Sequence, residues 1–336
     1  MNKHLFKYDH PFSLESGKQL PGLQIAYHTH GKRNDAGSNV VWICHALTAN
    51  SDPIEWWDTL VGKGKQFDPD RYFIVCANIL ASCYGSSGPL TVNPKTNKPF
   101  YAAFPQVTIR DMVQAHILLR EHLGIKKIHI AAGGSMGGYQ LLEWAISEPA
   151  VIENMVLLAT SPKESAWGIA IHTAQRLAIE TDLSWKDDSP SAGAAGLKTA
   201  RAIGMLTYRN YEMYVRTQDE PDHSKTDDYK ASSYIHYQGE KLVKRFNAQS
   251  YWLLSKAMDS HNIARGRGNM EQALSKIKAK TLVIGISSDI LCPVAEQQYL
   301  AKHIPGAHFA AIDSPYGHDG FLIEGKQTSA LIGQFI

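Results

Sequence analysis

The chain has 336 residues, 44% hydrophobic and 20% charged, with a formal net charge of +2; that is room for one large core or a core plus an insertion, without the charge footprint of a nucleic-acid or membrane-surface binder. Its apolar runs are strand-length, far short of the roughly 20 residues of a membrane-spanning helix, and the opening MNKHLFKYDHPFSL has no apolar secretion core. Cys44, Cys76, Cys83 and Cys292 form no C-x-x-C pair, so a cytoplasmic protein with reduced thiols is expected.

Residues 1–39 read as an N-terminal β-region, with a loosely alternating strand over 23–28 and a polar turn over 31–38 (GKRNDAGS). Residues 40–44 (VVWIC) are apolar throughout, the pattern of a strand buried on both faces of a parallel sheet. They lead into the loop His45-Ala46-Leu47-Thr48-Ala49-Asn50. A short helix is expected within 53–64 and another buried strand over 71–77 (RYFIVCA). Residues 80–108 lack periodicity, and a structureless stretch of that length in a compact domain is usually functional. Met112, Ala115, Leu118 and Leu119 recur at helical spacing and predict a helix over 109–123.

Residues 127–148 (KIHIAAGGSMGGYQLLEWAISE) organise the rest. A buried strand over 128–132 turns sharply at Gly133-Gly134-Ser135-Met136-Gly137-Gly138 and continues as a helix carrying Leu141, Leu142, Trp144 and Ala145. Strand, G-x-S-x-G and helix in that order make a nucleophile elbow. The serine is held in a strained conformation, so the residues two before and two after it must lack a Cβ. The Met136 N–H, at a helix N-terminus, then points toward any oxyanion that forms at the serine. A bare G-x-S-x-G is a weak signal among 26 glycines. No Lys-Ser/Thr follows these glycines, which disfavours a phosphate-binding loop.

A further buried strand follows at 155–159 (MVLLA), and then the rhythm breaks. Residues 163–271 are polar and helix-prone, which predicts a helical cap inserted over the sheet. The core is then 1–162 with 272–336. Strand rhythm resumes at 281–286 (TLVIGI), with a helix over 293–303, a last strand over 308–312 (HFAAI) and a closing helix over 328–336. The alternation predicts an α/β class, a mostly parallel sheet with helices on both faces.

The elbow acquires meaning from two residues further on. Asp289 follows the strand 281–286, and His318 follows the strand 308–312 in SPYGHDG. Alone, Asp289 reads as a helix N-cap and His318 as one of 15 histidines. With Ser135 they give the order Ser, Asp, His, each after a strand, which is that of the α/β-hydrolase fold. His318 would take the proton of Ser135, and Asp289 would orient the imidazole and stabilise its cation. The oxyanion needs a second N–H, and the loop after 40–44 offers Leu47. His45 has the plainer role of bracing that loop.

Longer motifs carry a resemblance. HALTA at 45–49, DRYFIVCANIL at 70–80, GSSGP at 85–89, FPQVTIRDMV at 104–113, GGSMGG at 133–138, ARAIGMLTYR at 200–209, YQGEKLVKRFNAQSY at 237–251, SSDILCP at 287–293 and SPYGHDGFL at 314–322 resemble the homoserine O-acetyltransferases, nearly end to end. The resemblance implies the triad Ser135, Asp289 and His318, and amino-acid binding by Arg201, Tyr208 and Asp319. It also implies acetyl-CoA and L-homoserine as substrates in methionine biosynthesis, no metal or prosthetic group, and a homodimer joined through the cap. Physical chemistry agrees with those assignments. Homoserine is a zwitterion, so Arg201 suits its carboxylate and Asp319 its ammonium. Arg201 and Tyr208 lie two helical turns apart, hence on one face.

Two positions depart from the family pattern. Ala49 replaces a usual glycine, and Leu291 stands where members preferring succinyl donors commonly carry an arginine. A leucine offers nothing to a succinyl carboxylate, which favours the acetyl donor. Open alternatives are a succinyl- or serine-using relative, an esterase or thioesterase, and a non-catalytic binding protein.

Overall fold

A computed structural model describes residues 3–336. The N-terminal region supplies β1 (Lys3–Tyr8), the small pair β2 (Phe12–Ser13) and β3 (Gln19–Leu20), and β4 (Leu23–His30). Then follow β5 (Val40–Cys44), α1 (Pro53–Trp56), β6 (Phe73–Ala77) and a second small pair, β7 (Val92–Asn93) with β8 (Lys98–Pro99). α2 (Ile109–His122) begins at Thr108, whose hydroxyl accepts from the Asp111 N–H while Asp111 caps Thr108 in return. β9 (Ile128–Gly134), α3 (Met136–Ser147) and β10 (Ile152–Leu158) complete the first half.

The main sheet has eight strands. Its last two are β11 (Lys280–Ile286) and β12 (His308–Ile312), and its order is β1-β4-β6-β5-β9-β10-β11-β12. β1, β4 and β6 pair antiparallel, and every pairing from β6 onward is parallel. The apolar runs behave as two-faced strands. Along β5, Trp42 and Cys44 enter a core layer with Trp144 and Leu141, while Val41 and Ile43 enter the opposite layer with Ile74 and Ile130.

After β10 the inserted segment supplies five helices: α4 (Ala166–Glu180), α5 (Ala194–Tyr208), α6 (Tyr211–Gln218), α7 (Lys230–Val243) and α8 (Ala248–Asp259). Ser165, Asn210 and Asn247 cap α4, α6 and α8 by accepting backbone N–H groups with their side chains. The chain leaves the core and returns to it side by side. Lys163 bridges Asn262, and the Glu164 N–H donates to the His261 carbonyl at 3.0 Å. The segment thus closes on itself before residue 271. α9 (Met270–Leu274), α10 (Val294–His303), α11 (Gly320–Ile323) and α12 (Gly325–Phe335) return to the core.

Residues 80–108 differ from the expectation of a functional loop. Ser87 donates its N–H to the Gln24 carbonyl at 2.8 Å, and the Ser86 hydroxyl donates to the Asn78 carbonyl at 2.6 Å, which fastens the stretch beside β4. Its serines and glycines serve packing against the sheet, and none of these residues lines the cavity described below. Among the described residues no helix is long and apolar enough to cross a membrane.

Candidate active site

Ser135 sits between β9 and α3 at φ 54° and ψ −125°, a conformation a side chain adopts only when its surroundings impose it. Its N–H donates to the Leu158 carbonyl at 3.0 Å, and its carbonyl accepts from the Thr160 hydroxyl at 2.9 Å. Gln297 donates in turn to the Thr160 carbonyl at 2.6 Å. The flanking glycines are required by close approach. A Cβ at Gly133 would stand 2.7 Å from the Gly137 carbonyl carbon, and one at Gly137 would overlap the Cys44 carbonyl oxygen.

Asp289 and His318 meet across 29 residues of sequence. His318 Nδ1 donates to Asp289 Oδ2 at 2.7 Å, while Oδ1 accepts the N–H groups of Leu291 at 2.8 Å and Cys292 at 2.9 Å. The second set of bonds fixes the carboxylate in its own loop. Burial favours the neutral imidazole, but the charge and hydrogen bond of Asp289, aided by Asp319 and Glu164, outweigh it and raise the His318 pKa above its ordinary value. Cys292 lies near enough to this pair to suggest a metal cluster. Both Asp289 oxygens are already engaged, however, and burial pushes the Cys292 thiol far from the thiolate a metal needs.

The segments that carry the two expected oxyanion donors are joined side by side. Met136 opens α3, Leu47 lies in the loop after β5, and among the described residues neither N–H finds an acceptor. Gln140, which sequence reasoning missed, joins their segments by donating Nε2 to the His45 and Met136 carbonyls, each at 3.1 Å. His45 braces the loop as its plainer role anticipated. Its Nδ1 donates to the Ala46 carbonyl at 2.9 Å, and its Nε2 accepts the Ile79 N–H at 3.2 Å. Complete burial holds it neutral, with a pKa lowered to about 4.

A cavity of about 370 Å³ brings together Leu47, Ser135, Arg201, Tyr208, Leu291, His318 and Asp319. The Arg201 guanidinium lies 5.4 Å from the Tyr208 ring centre, so the pair does share a face of α5, and the buried Arg201 Nε has no partner among the described residues. Tyr208 lies roughly parallel to the His318 ring at 6.1 Å, and burial raises its phenol pKa. Ala49 also lines the cavity, so the departure from glycine falls inside it. Leu291 packs with Ile171, Cys292 and Tyr208.

Two charged partnerships were not legible in the sequence. Arg209, at the end of α5, pairs with Asp319 at 2.9 Å. Burial raises the Asp319 pKa, opposed first by Arg209 and then by Arg201 and His318. His172, on α4, lines the cavity and contacts Asp259 at 2.8 Å, and Arg176 holds the other Asp259 oxygen at 2.6 Å. The i, i+4 spacing of His172 and Arg176 was the available signal. Their shared acid, 87 residues beyond His172, was not.

Comparison with known proteins agrees with this geometry. A family model for the alpha/beta hydrolase fold matches residues 39–324. A homoserine O-acetyltransferase of Cyclobacterium marinum is 49% identical over 335 residues, spanning 100% of this chain and 95% of the relative. The crystal structure of homoserine O-acetyltransferase from Bacillus anthracis is similar with a TM-score of 0.91 at 26% identity, covering 99% of this chain and 96% of that one. The crystal structure of esterase E22 is similar with a TM-score of 0.88 at 26% identity, covering 99% of each chain.

Proposed function

The chain belongs to the homoserine O-acetyltransferase family of the α/β-hydrolase fold, and from that premise we propose that it moves an acetyl group from acetyl-CoA to the hydroxyl of L-homoserine through Ser135, His318 and Asp289. The observation that carries the reading is Arg201. It is a cation with a buried, partnerless Nε in the cavity that Ser135 and His318 line, suited to the carboxylate of an amino acid and of no use to a simple ester.

In the first half-reaction His318 Nε2 takes the Ser135 proton as Oγ bonds to the thioester carbon, and the Leu47 and Met136 N–H groups hold the oxyanion. The C–S bond breaks, and the CoA thiol leaves with the proton from His318. In the second, the homoserine hydroxyl gives its proton to His318 and attacks the acetyl carbon. The Ser135–acyl bond breaks, Oγ recovers the proton, and O-acetyl-L-homoserine leaves. Tyr208 flanks Arg201, and Asp319, although paired with Arg209, offers its carboxylate to the substrate ammonium. Leu291 gives the acyl site an apolar wall, which favours acetyl over succinyl. The reaction needs no metal or prosthetic group. Exposed Trp167, Leu177 and Leu183 on and beside α4 support a dimer joined through the cap.

The likeness to esterase E22 favours hydrolysis of an acyl-serine as the second reading. Thiol release from acetyl-CoA, with and without L-homoserine, separates the two. Release that requires homoserine is the expected result. Release at the same rate without an acceptor would replace the transferase with a hydrolase. Parallel runs with succinyl-CoA and L-serine test donor and acceptor.

A further inference from the structure

Lys241 on α7 and Arg245 just past its end are one helical turn apart, and both are exposed where they line the cavity whose floor holds buried Ser135. They therefore stand at its mouth. Deeper in the cavity Asp319 is paired with Arg209, and Arg201 stands beside Tyr208 on α5. Lys241 and Arg245 have no carboxylate within 4.0 Å among the described residues. The neighbouring ion pair joins Lys198 to Glu240 instead. The one acid at the mouth, Glu55, accepts from Asn50 at 2.9 Å.

The Arg245 guanidinium is also oriented. Its Nη1 donates to the Thr48 carbonyl and, at 2.6 Å, to the Tyr84 hydroxyl. Nε and Nη2 have no partner among the described residues, which leaves a planar fork of N–H donors suited to a phosphate. The cavity of about 370 Å³ has room for an acyl group, a small acceptor and a slender arm, and an adenine nucleotide must remain outside it.

Resting on the acyl-transfer reading above, we infer that Lys241 and Arg245 bind the phosphate groups of the acyl-CoA donor. The nucleotide stays at the mouth while the pantetheine arm carries the thioester to Ser135. The two cations then set donor recognition and leave acceptor choice to the groups inside.

The test compares acetyl-CoA with acetyl-pantetheine, the same thioester without phosphates, at fixed L-homoserine. The readout is the ratio of their kcat/KM values. In Lys241→Glu that ratio falls about tenfold from the parent value, and it falls further in Lys241→Glu/Arg245→Gln. Added salt lowers the ratio in the parent and does so less in the variants. An unchanged ratio in Lys241→Glu overturns the assignment. So does an equal loss with both donors, which would mean that the residues only support the loop at Thr48. Failure of the parent to use either thioester would instead remove the acyl-transfer reading itself.

Discussion

Arg209 Nε stands 2.9 Å from Asp319 Oδ2, so the end of cap helix α5 is tied to the residue that follows His318. Both side chains are largely buried, and Arg209 is the first charge that opposes the burial-driven rise of the Asp319 pKa. Arg209→Gln leaves that carboxylate without its ion-pair partner, at an expected cost of roughly 1–3 kcal/mol in stability. Arg209→Gln/Asp319→Asn should recover part of the loss. Thermal unfolding of the four proteins measures the coupling, and additive losses would show that the pair holds nothing together.

Gly137 has the Cys44 carbonyl where a Cβ would go. Both partners are backbone, so no rotamer change relieves the overlap. Gly137→Ala should cost about 3 kcal/mol and displace the elbow from the loop that carries Leu47. Urea unfolding of the variant checks this, and a midpoint equal to the parent's would show that β5 and α3 have room to separate.

Asp289→Asn keeps the shape of the acid and removes its charge. Turnover should fall about 10⁴-fold, as it does when a triad carboxylate becomes an amide. The base acts when neutral, and the His318 pKa is raised, so parent kcat/KM falls as pH drops through a value above the ordinary ~6.5. Asp289 supplies the largest raising effects, so the variant's residual activity should show that limb at lower pH. A pH–rate profile with an unmoved limb would detach Asp289 from the base.

Three fully buried histidines make the fold acid-sensitive. Burial lowers the pKa of His45 to about 4, and those of His116 and His261 to about 3. Unfolded, each titrates near ~6.5, so between these values the unfolded chain binds more protons, and stability is lost as the pH is lowered. Near pH 5 the slope should approach about 4 kcal/mol per pH unit from these three groups. Both ring nitrogens of His116 lack partners between Trp42 and Trp144. His116→Phe should therefore flatten the slope by about 1.4 kcal/mol per unit, which urea unfolding at several pH values reads directly.

Arg201→Gln removes the cation that stands beside Tyr208 inside the cavity. The KM for L-homoserine should rise roughly 10- to 100-fold, more than kcat falls, because a charge-assisted contact to the carboxylate is lost. Steady-state kinetics with varied homoserine decides it. An unchanged KM would place the carboxylate elsewhere.

Wherever the information is local, the chain declares it. The apolar run at 40–44 suits a strand buried on both faces, which β5 is, and Gly133 and Gly137 flank a serine that the structure holds at φ 54°. The distance of seven between Arg201 and Tyr208 puts both on one face of a helix. Ser135, Asp289 and His318 follow β9, β11 and β12 in that order, and parallel strands deliver the loops at their ends to one edge of the sheet, which is why chain order alone brings the three to one cavity edge. Residues 80–108 misled for a related reason. Their lack of period described how they pack against β4, and their one link to the cavity's lining is Tyr84, whose hydroxyl accepts from Arg245.

The sequence by itself thus determined the apolar strands of the core, the elbow, the kinship of the chain and the Asp289 and His318 that the structure brings to 2.7 Å from each other. Only the tertiary structure decided which charges meet. Arg209 finds Asp319, His172 and Arg176 share Asp259, and Gln140 joins the Leu47 loop to the elbow, while Lys241 and Arg245 meet no carboxylate among the described residues. A periodic pattern records which face of an element avoids water. It does not record the partner of a charged or polar group a hundred residues away, because that contact exists only after β5 is set beside β9 and the five helices have closed over them.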